Sequence, residues 1–218
     1  MVGTVPYTCD IWAIARSAWL RRQQGAAGRI AVCGGIGYEK AMIPRLETPR
    51  LVLRAFRNED LDSFAAMMAD PQVVRYLSGT PMSRADAWRA MATTSGHWLL
   101  RGFGMWAVER KEDGVLLGRV GLLQPEGWPG LEVGWTLGRP YWGRGYATEA
   151  AAASMRYAFL TQPVERVISC IDPANRASQA VALRLGESKG PQQDLVVGGR
   201  SYLVDVWSIA RRDWQDRA

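Results

Sequence analysis

Apolar and polar positions from Arg45 onward follow two periods, one close to two residues and one close to 3.6. Leu51, Leu53 and Ala55 alternate with Val52, Arg54 and Phe56, the pattern of a half-buried strand. Leu61, Phe64, Ala65 and Met68 share one helical face after Asn58, a residue suited to capping, and Asp70-Pro71 ends that helix. Ser83-x-x-Asp86 resembles a capping box and opens a second helix through about Leu99. Met105–Arg110 and Leu116–Leu123 read as strands around a turn at Glu112-Asp113-Gly114, and Leu131–Leu137 as the next strand. Ala147–Phe159 is an alanine-rich helix, Val164–Ile171 a strand and Ser178–Leu185 a helix. Leu195–Val197 and Tyr202–Ile209 flank Val197-Gly198-Gly199-Arg200, a hairpin turn. The order is strand, two helices, three strands, helix, strand, helix, hairpin. It predicts an α/β (α+β) domain over residues 45–218, with one mixed, largely antiparallel central sheet flanked by helices.

Residues 1–44 are patterned differently. Trp12, Ala15 and Trp19 recur at helical spacing beside Arg16, Arg21 and Arg22, which predicts a short amphipathic helix over 11–23. Gly25, Gly28, Gly34, Gly35 and Gly37 then interrupt it. Three readings stay open. The segment is a partner-binding or membrane-surface arm, an ordered extension packed on the domain, or translated upstream sequence with the natural start at Met42. The arginines follow the apolar run instead of preceding it, unlike a secretory signal peptide. No stretch of eighteen apolar residues is present, so no membrane span is expected.

The chain of 218 residues has room for one ordinary domain with an appendage. Hydrophobic residues are 48% and charged residues 22%, which excludes a wholly disordered or collagen-like chain. The net charge of +6 is uneven: residues 1–50 hold seven Lys/Arg against three Asp/Glu, and the remainder is almost balanced. A nearly neutral domain does not suit a nucleic-acid partner. Cys9, Cys33 and Cys170 lie far apart without metal-type spacing, so no disulfide framework is read and a reducing cytoplasm is expected. The lone histidine, His97, argues against a histidine-rich metal site or a Ser–His–Asp hydrolase, and no metal is expected.

The most informative segment runs from Leu131 to Ala150. A strand enters a loop containing Gly143-Arg144-Gly145, and a helix follows at once. Glycine admits backbone conformations closed to other residues and lets a ligand approach the main chain. A helix N-terminus presents unpaired N–H groups and partial positive charge, so the pair suits phosphate oxygens. No Gly-Lys-Ser/Thr follows, and position 148 is threonine, so neither a P-loop nor a complete dinucleotide fingerprint is present. A glycine-rich turn that merely starts a helix is the competing reading.

Trp142-Gly-Arg-Gly-Tyr-Ala-Thr-Glu-Ala resembles the acetyl-CoA pyrophosphate loop of the GNAT N-acetyltransferase superfamily, in the branch containing the N-acetyltransferases of ribosomal-protein alanine. Thr48-Pro-Arg-Leu-Val-Leu-Arg is similar to that branch's opening strand, and Asp70-Pro71 with Arg75-Tyr76-Leu77 to its first-helix segment. Gly102-Phe-Gly-Met-Trp-Ala-Val resembles its second strand, and Asn175-Arg-Ala-Ser178 with Leu185-Gly186 its second cofactor motif. The likeness spans about Leu46 to Ile209 and implies the GNAT acyl-CoA N-acyltransferase fold. It implies that main-chain groups of Gly143, Arg144, Gly145, Tyr146, Ala147 and Thr148 hold the pyrophosphate of acetyl-CoA. Trp142 stands where much of the superfamily has Gln or Arg. Backbone groups of Trp135, Thr136 and Leu137 would pair with the pantetheine arm, where the sheet splays. Asn175 would hydrogen-bond the cofactor and Ser178 would sit near the thiol.

Acetyl transfer to an amine needs a neutral amine, a polarised carbonyl and a protonated leaving thiolate. Glu132, on the strand entering the loop, is the candidate base, against the reading of a strand-edge glutamate paired with an arginine. A strand N–H would polarise the carbonyl. The tyrosine that many members use as acid is replaced by Ala182, so Ser178 is the candidate acid, or a residue that only caps its helix or positions the thiol. Leu185-Gly186 is followed by Glu187 instead of the usual aromatic, which removes an expected apolar contact. Glu149 reads as a dipole-complementing side chain in the helix's first turn. Trp98, Trp106 and Trp135 are candidates for substrate stacking or for the core, and Trp98 beside His97 for a substrate wall.

The leading expectation is an enzyme that moves the acetyl group of acetyl-CoA to a primary amine by direct transfer in a ternary complex. A catalytically degenerate acyl-CoA-binding or sensing module is the alternative, motivated by the missing tyrosine. An interaction protein whose residues 1–44 do the work is a third. Small domains with exposed strands pair readily, so a homodimer is expected.

Overall fold

The computed structural model describes residues 43–197 and 199–214. In chain order these form β1 (Leu46–Glu47), β2 (Leu51–Arg54), α1 (Leu61–Met68), α2 (Pro71–Val74), α3 (Arg84–Arg101), β3 (Met105–Arg110) and β4 (Leu116–Leu123). There follow β5 (Glu132–Leu137), α4 (Tyr146–Thr161), β6 (Arg166–Ile171), α5 (Arg176–Leu185), β7 (Ser188–Val197) and β8 (Arg200–Ala210). The strands make one eight-stranded sheet in the order β1-β2-β3-β4-β5-β6-β8-β7. Neighbours are antiparallel except β5 and β6, which run parallel. The expected mixed, largely antiparallel sheet with flanking helices is therefore the fold. The helix expected over 11–23 lies outside the described residues. Of the expected extension only Ile43 and Pro44 are described; Ile43 packs on the core, and Trp106 Nε1 donates to the Pro44 carbonyl at 2.7 Å.

Local chemistry explains most element ends. Ser83 caps α3 by accepting from the Asp86 N–H at 3.1 Å, and Gly102, left-handed at φ +75°, ends that helix after Arg101. Asp70-Pro71 ends α1 as expected and also starts α2, because Asp70 accepts from the Gln72 N–H and Pro71 takes the first helical position. The expected cap at Asn58 does not form. Asn58–Asp60 is a single 3-10 turn, and Asp60 reaches back to the Arg57 N–H at 2.7 Å. The strand expected through Phe56 stops pairing at Arg54. The last hairpin is far longer than its apolar residues indicate. β7 is an edge strand, mostly exposed, whose polar first half carries Pro191 inside a register shift between Lys189 and Gln192.

Two apolar layers sandwich the middle of the sheet. Trp106, Val120, Leu122 and Val133 pack against Ala150, Ala151, Met155 and Ala158 of α4, whose small side chains let the helix lie close. On the other side Phe64, Met68, Val74 and Met91 join α1, α2 and α3. Trp207, Ile171 and Ala182 form a third cluster beneath α5. The α4 layer seats the glycine-rich loop at the end of β5, and the α1–α3 layer lies over the opposite face.

Candidate active site

Gly143 and Gly145 have φ of +72° and +79°, a region that L side chains rarely adopt. These two reversals bring the chain from the short turn Arg139–Tyr141 into α4 with its first N–H groups at the loop. Gly145 is the N-cap and offers no side chain, so no capping oxygen competes for those donors. A Cβ at Gly143 would meet nothing within 4 Å, which leaves the main chain open to a ligand. Trp142 is 45% exposed and turns its Nε1–H back to the Leu137 carbonyl at 2.7 Å, pinning the loop to the end of β5. Arg144 is exposed, Tyr146 is buried, and Ala147 and Thr148 are half-buried in the first turn.

Glu149, in that same turn, ties the loop to the other end of the sheet. Its Oε1 accepts from Thr48 Oγ1 at 2.6 Å and from the Arg50 N–H at 2.9 Å, and its Oε2 from Arg50 Nε at 2.6 Å. Arg50 also donates to the Arg144 carbonyl at 3.0 Å and stacks 4.5 Å above the Tyr146 ring centroid. Burial disfavours the Glu149 charge, but these donors outweigh it and hold the carboxyl below its usual range.

β4 and β5 pair over six positions, whereas β5 and β6 share only Glu132 opposite Ile168. Beyond that point the two parallel strands are no longer paired, so the β6-facing backbone of Trp135, Thr136 and Leu137 has no strand partner among the described residues. Glu132 stands where the gap begins. Its Oε2 accepts from Trp128 Nε1 at 2.5 Å, and its Oε1 from the Cys170 N–H at 3.3 Å. Among the described residues it has no arginine partner, against that reading of the sequence. The residue is only 8% exposed, and burial pushes its carboxyl up to about 7 despite both donors. Burial, with Glu132 beside it, also raises the Cys170 thiol, so this cysteine is a neutral wall and not a nucleophile.

A second carboxyl that the sequence did not suggest as functional joins this group. Glu187 is 2% exposed, its Oε1 lies 3.0 Å from Ser169 Oγ, and its Oε2 is buried without a partner. Burial, helped by the Glu132 charge, raises it to about 8. The signal in the sequence was the glutamate following Leu185-Gly186 at a position suited to an aromatic side chain.

The second expected motif lies across the gap. Asn175 caps α5, its Oδ1 accepting from the Ser178 N–H at 3.1 Å. Ser178 is thus not the cap; its Oγ accepts from Trp135 Nε1 at 3.2 Å, joining β5 to α5. Ala182 is fully buried against Ile171, Trp207 and Trp135. His97 is not a substrate wall: its ring bridges the Phe103 carbonyl, 2.7 Å from Nδ1, and the Gln124 N–H, which donates to Nε2 at 3.1 Å. Trp98 and Trp106 are core residues packed edge-on with Tyr157, and Trp98 donates to the Met105 carbonyl.

Known proteins resemble this chain. Residues 50–187 match a family model described as an acetyltransferase (GNAT) domain. The Bacillus subtilis (strain 168) protein YkkB is 33% identical over 149 residues, covering 65% of this chain and 84% of its own. The Bacillus licheniformis protein named N-acetyltransferase p20, described as uncharacterized, is 28% identical over 173 residues, 78% of this chain and 97% of its own. The crystal structure of an acetyltransferase from Agrobacterium tumefaciens superposes with a TM-score of 0.66 at 31% identity, over 77% of this chain and 94% of that one.

Proposed function

The chain belongs to the GNAT acetyltransferase family, and on that premise we propose that it transfers the acetyl group of acetyl-CoA to a primary amine directly, in a ternary complex. The acceptor is a protein N-terminus or a small-molecule amine. The observation that carries the reading is Glu132: a buried carboxyl raised to about 7, at the mouth of the only parallel strand pair among the described residues.

The residues fit the family's donor, which supplies the activated acetyl group. The first-turn N–H groups of Tyr146, Ala147 and Thr148, with the loop Gly143–Gly145, suit a pyrophosphate. The unpaired edge of β5 at Trp135, Thr136 and Leu137 suits the amide-bearing arm, and the Asn175 side chain stands across the gap for a further hydrogen bond. Glu132 takes a proton from the incoming ammonium, which frees its lone pair to form the new C–N bond. A β5 N–H polarises the carbonyl oxygen while the C–S bond breaks. The nitrogen loses its second proton as the amide forms, and Ser178 relays it to the departing thiolate, giving its own hydroxyl proton and taking that one in exchange. Ala182 is the observation behind the second reading, a sensing module that binds the donor without turnover. A homodimer formed through exposed sheet edges belongs to the same proposal, and sedimentation equilibrium giving only a monomer would overturn it.

The test is the melting temperature with and without millimolar acetyl-CoA, beside adenosine and salt controls, followed by thiol release with a panel of amines. A rise specific to acetyl-CoA is expected, because a ligand that binds only the folded state stabilises it. Thiol release with at least one amine is expected as well. A rise without release selects the sensing module, and no rise removes the loop assignment.

A further inference from the structure

Arg54 and Arg119 stand in one row across the sheet, on either side of Ala107, which pairs with both. They have opposite surroundings. Arg54 is buried and saturated: Asp60 takes two of its N–H groups at 2.7 and 2.8 Å, and Glu109 a third at 2.6 Å. Arg119 has no carboxylate among the described residues. Its Nε is shielded from solvent without an acceptor, and the guanidinium lies 5.8 Å from the Phe64 ring centroid. The ring contact shelters the flat of the group and accepts none of its protons. The residue as a whole is half-buried, but an inward-facing donor without an acceptor is costly to a fold, and proteins rarely keep one without a use.

The place of Arg119 suggests that use. Its strand partner on β5 is Thr136, on the same face as Gly134 and Glu132. Gly134 adds no side chain between them, and the Met105 methyl lies over it. A Cβ there would stand 3.7 Å from Glu132 Oε1 and 3.5 Å from Met105 Cε. Four residues of strand separate the two rows, roughly 13 Å between Cα positions. Both side chains extend from the same face. The row thus carries a base at one end, a glycine beside the Met105 methyl in the middle, and at the other an arginine with no carboxylate partner among the described residues.

We propose that Arg119 binds an anionic group of the acceptor, and that the acceptor is a small amine bearing a carboxylate, of amino-acid to dipeptide size. The inference rests on the acetyl-transfer reading above. The carboxylate supplies the acceptor oxygens that Arg119 lacks, and it places the amine toward Glu132. Burial alone lowers the Arg119 pKa, and no carboxylate among the described residues offsets it, so an anionic ligand would remove a standing penalty.

The test compares free amino acids and dipeptides with their carboxamides as acceptors, in the full chain and in Arg119→Gln and Arg119→Lys, reading kcat and KM by thiol release. In the parent the acids are expected to exceed their amides in kcat/KM by about tenfold to a hundredfold, as for a charged hydrogen bond. Arg119→Gln brings that ratio to about one, chiefly through a higher KM for the acids, with the acetyl-CoA melting shift unchanged, and Arg119→Lys keeps part of it. Amines turned over with no preference for acids, or a preference that survives Arg119→Gln, overturns the inference and leaves acetyl transfer standing. If no amine is turned over, acetyl transfer fails, and melting with CoA plus N-acetylglycylglycine or its amide decides for Arg119. A rise with the acid alone, lost in Arg119→Gln, supports the anion site, and its absence overturns it. Should Arg119→Gln not fold, the same ratios in Arg119→Lys decide: an unchanged acid preference there overturns the role.

Discussion

Ser169 Oγ stands 3.0 Å from Glu187 Oε1 and 2.9 Å from the Val133 carbonyl oxygen, so one hydroxyl sits between two acceptors. A hydroxyl has one proton and a carbonyl only accepts. Both contacts are hydrogen bonds when Ser169 donates to Val133 and Glu187 donates to Ser169, which requires Glu187 to be protonated. The raised carboxyl, at about 8, agrees. Glu132 is raised as well, to about 7, so the two buried carboxyls titrate as a pair, with Glu187 held protonated by its contact to Ser169 and Glu132 the member free to ionise.

Stability should follow from this. The ordinary value of a glutamate is 4.5, and both carboxyls are raised in the folded chain. Between those values the folded state holds more protons than the unfolded state, so stability falls as pH rises through the window from about 4.5 to 8. Each group contributes a slope of up to about 1.4 kcal/mol per pH unit. Glu187→Gln removes its share. Urea unfolding at pH 5, 6, 7 and 8 should show a flatter curve for the variant, which gains on the parent as pH rises. Parallel curves would refute the protonated Glu187.

Turnover should depend on Glu132 in a related way. An ionised base is required, so kcat/KM is expected to climb about tenfold per pH unit on the acid side and to level near pH 7. Glu132→Gln should lower kcat by about 10²–10⁴-fold, remove that limb, and leave the acetyl-CoA melting shift in place. A variant with the parent rate retires Glu132 as the base.

The features legible in the sequence are those decided within a few residues. Ser83 caps a helix because Asp86 is three residues on, and Gly143 and Gly145 turn into α4 because only glycine takes those angles cheaply. The strand entering the loop and Glu132 upon it follow from alternation. Contacts made across the chain were not legible. Glu149 read as a dipole partner, since Thr48 and Arg50 lie about a hundred residues away. Glu187 is buried only because β6 and the elements around it close over a position that local pattern leaves polar. Arg119 looks like any polar strand residue until Arg54, one strand beyond Ala107, is seen to hold both nearby carboxylates. The part of β7 before Leu195 escaped because an exposed edge strand has no apolar face to alternate.

Gly145→Asp tests the loop. The position needs φ +79°, and a Cβ there would stand 3.3 Å from Arg50 Nη2. A side chain costs about 1–2 kcal/mol in that conformation, which a domain of this size survives. The added carboxylate repels a pyrophosphate and competes for the helix N–H groups. The variant is expected to fold, with a slightly lower melting temperature, and to lose the acetyl-CoA shift. A calorimetric titration with unchanged affinity would remove the loop from the donor site.

Glu149→Gln separates the latch from the loop it holds. The parent carboxylate accepts three hydrogen bonds, and the amide can accept at only one of its two ends. Arg50 is half-exposed, so its ion pair is screened by solvent, and the Thr48 and main-chain bonds matter more. A loss of about 1–2 kcal/mol in stability is expected. Arg50, freed from Glu149, no longer fixes the Arg144 carbonyl, so the loop is less ordered before the donor arrives. Donor affinity should fall severalfold, while kcat at saturating acetyl-CoA stays near the parent value. Thr48→Val removes one of the three bonds without touching Arg50, and should lower stability with little effect on donor affinity. If Thr48→Val weakens the donor as much as Glu149→Gln does, Arg50 is not the element that shapes the loop.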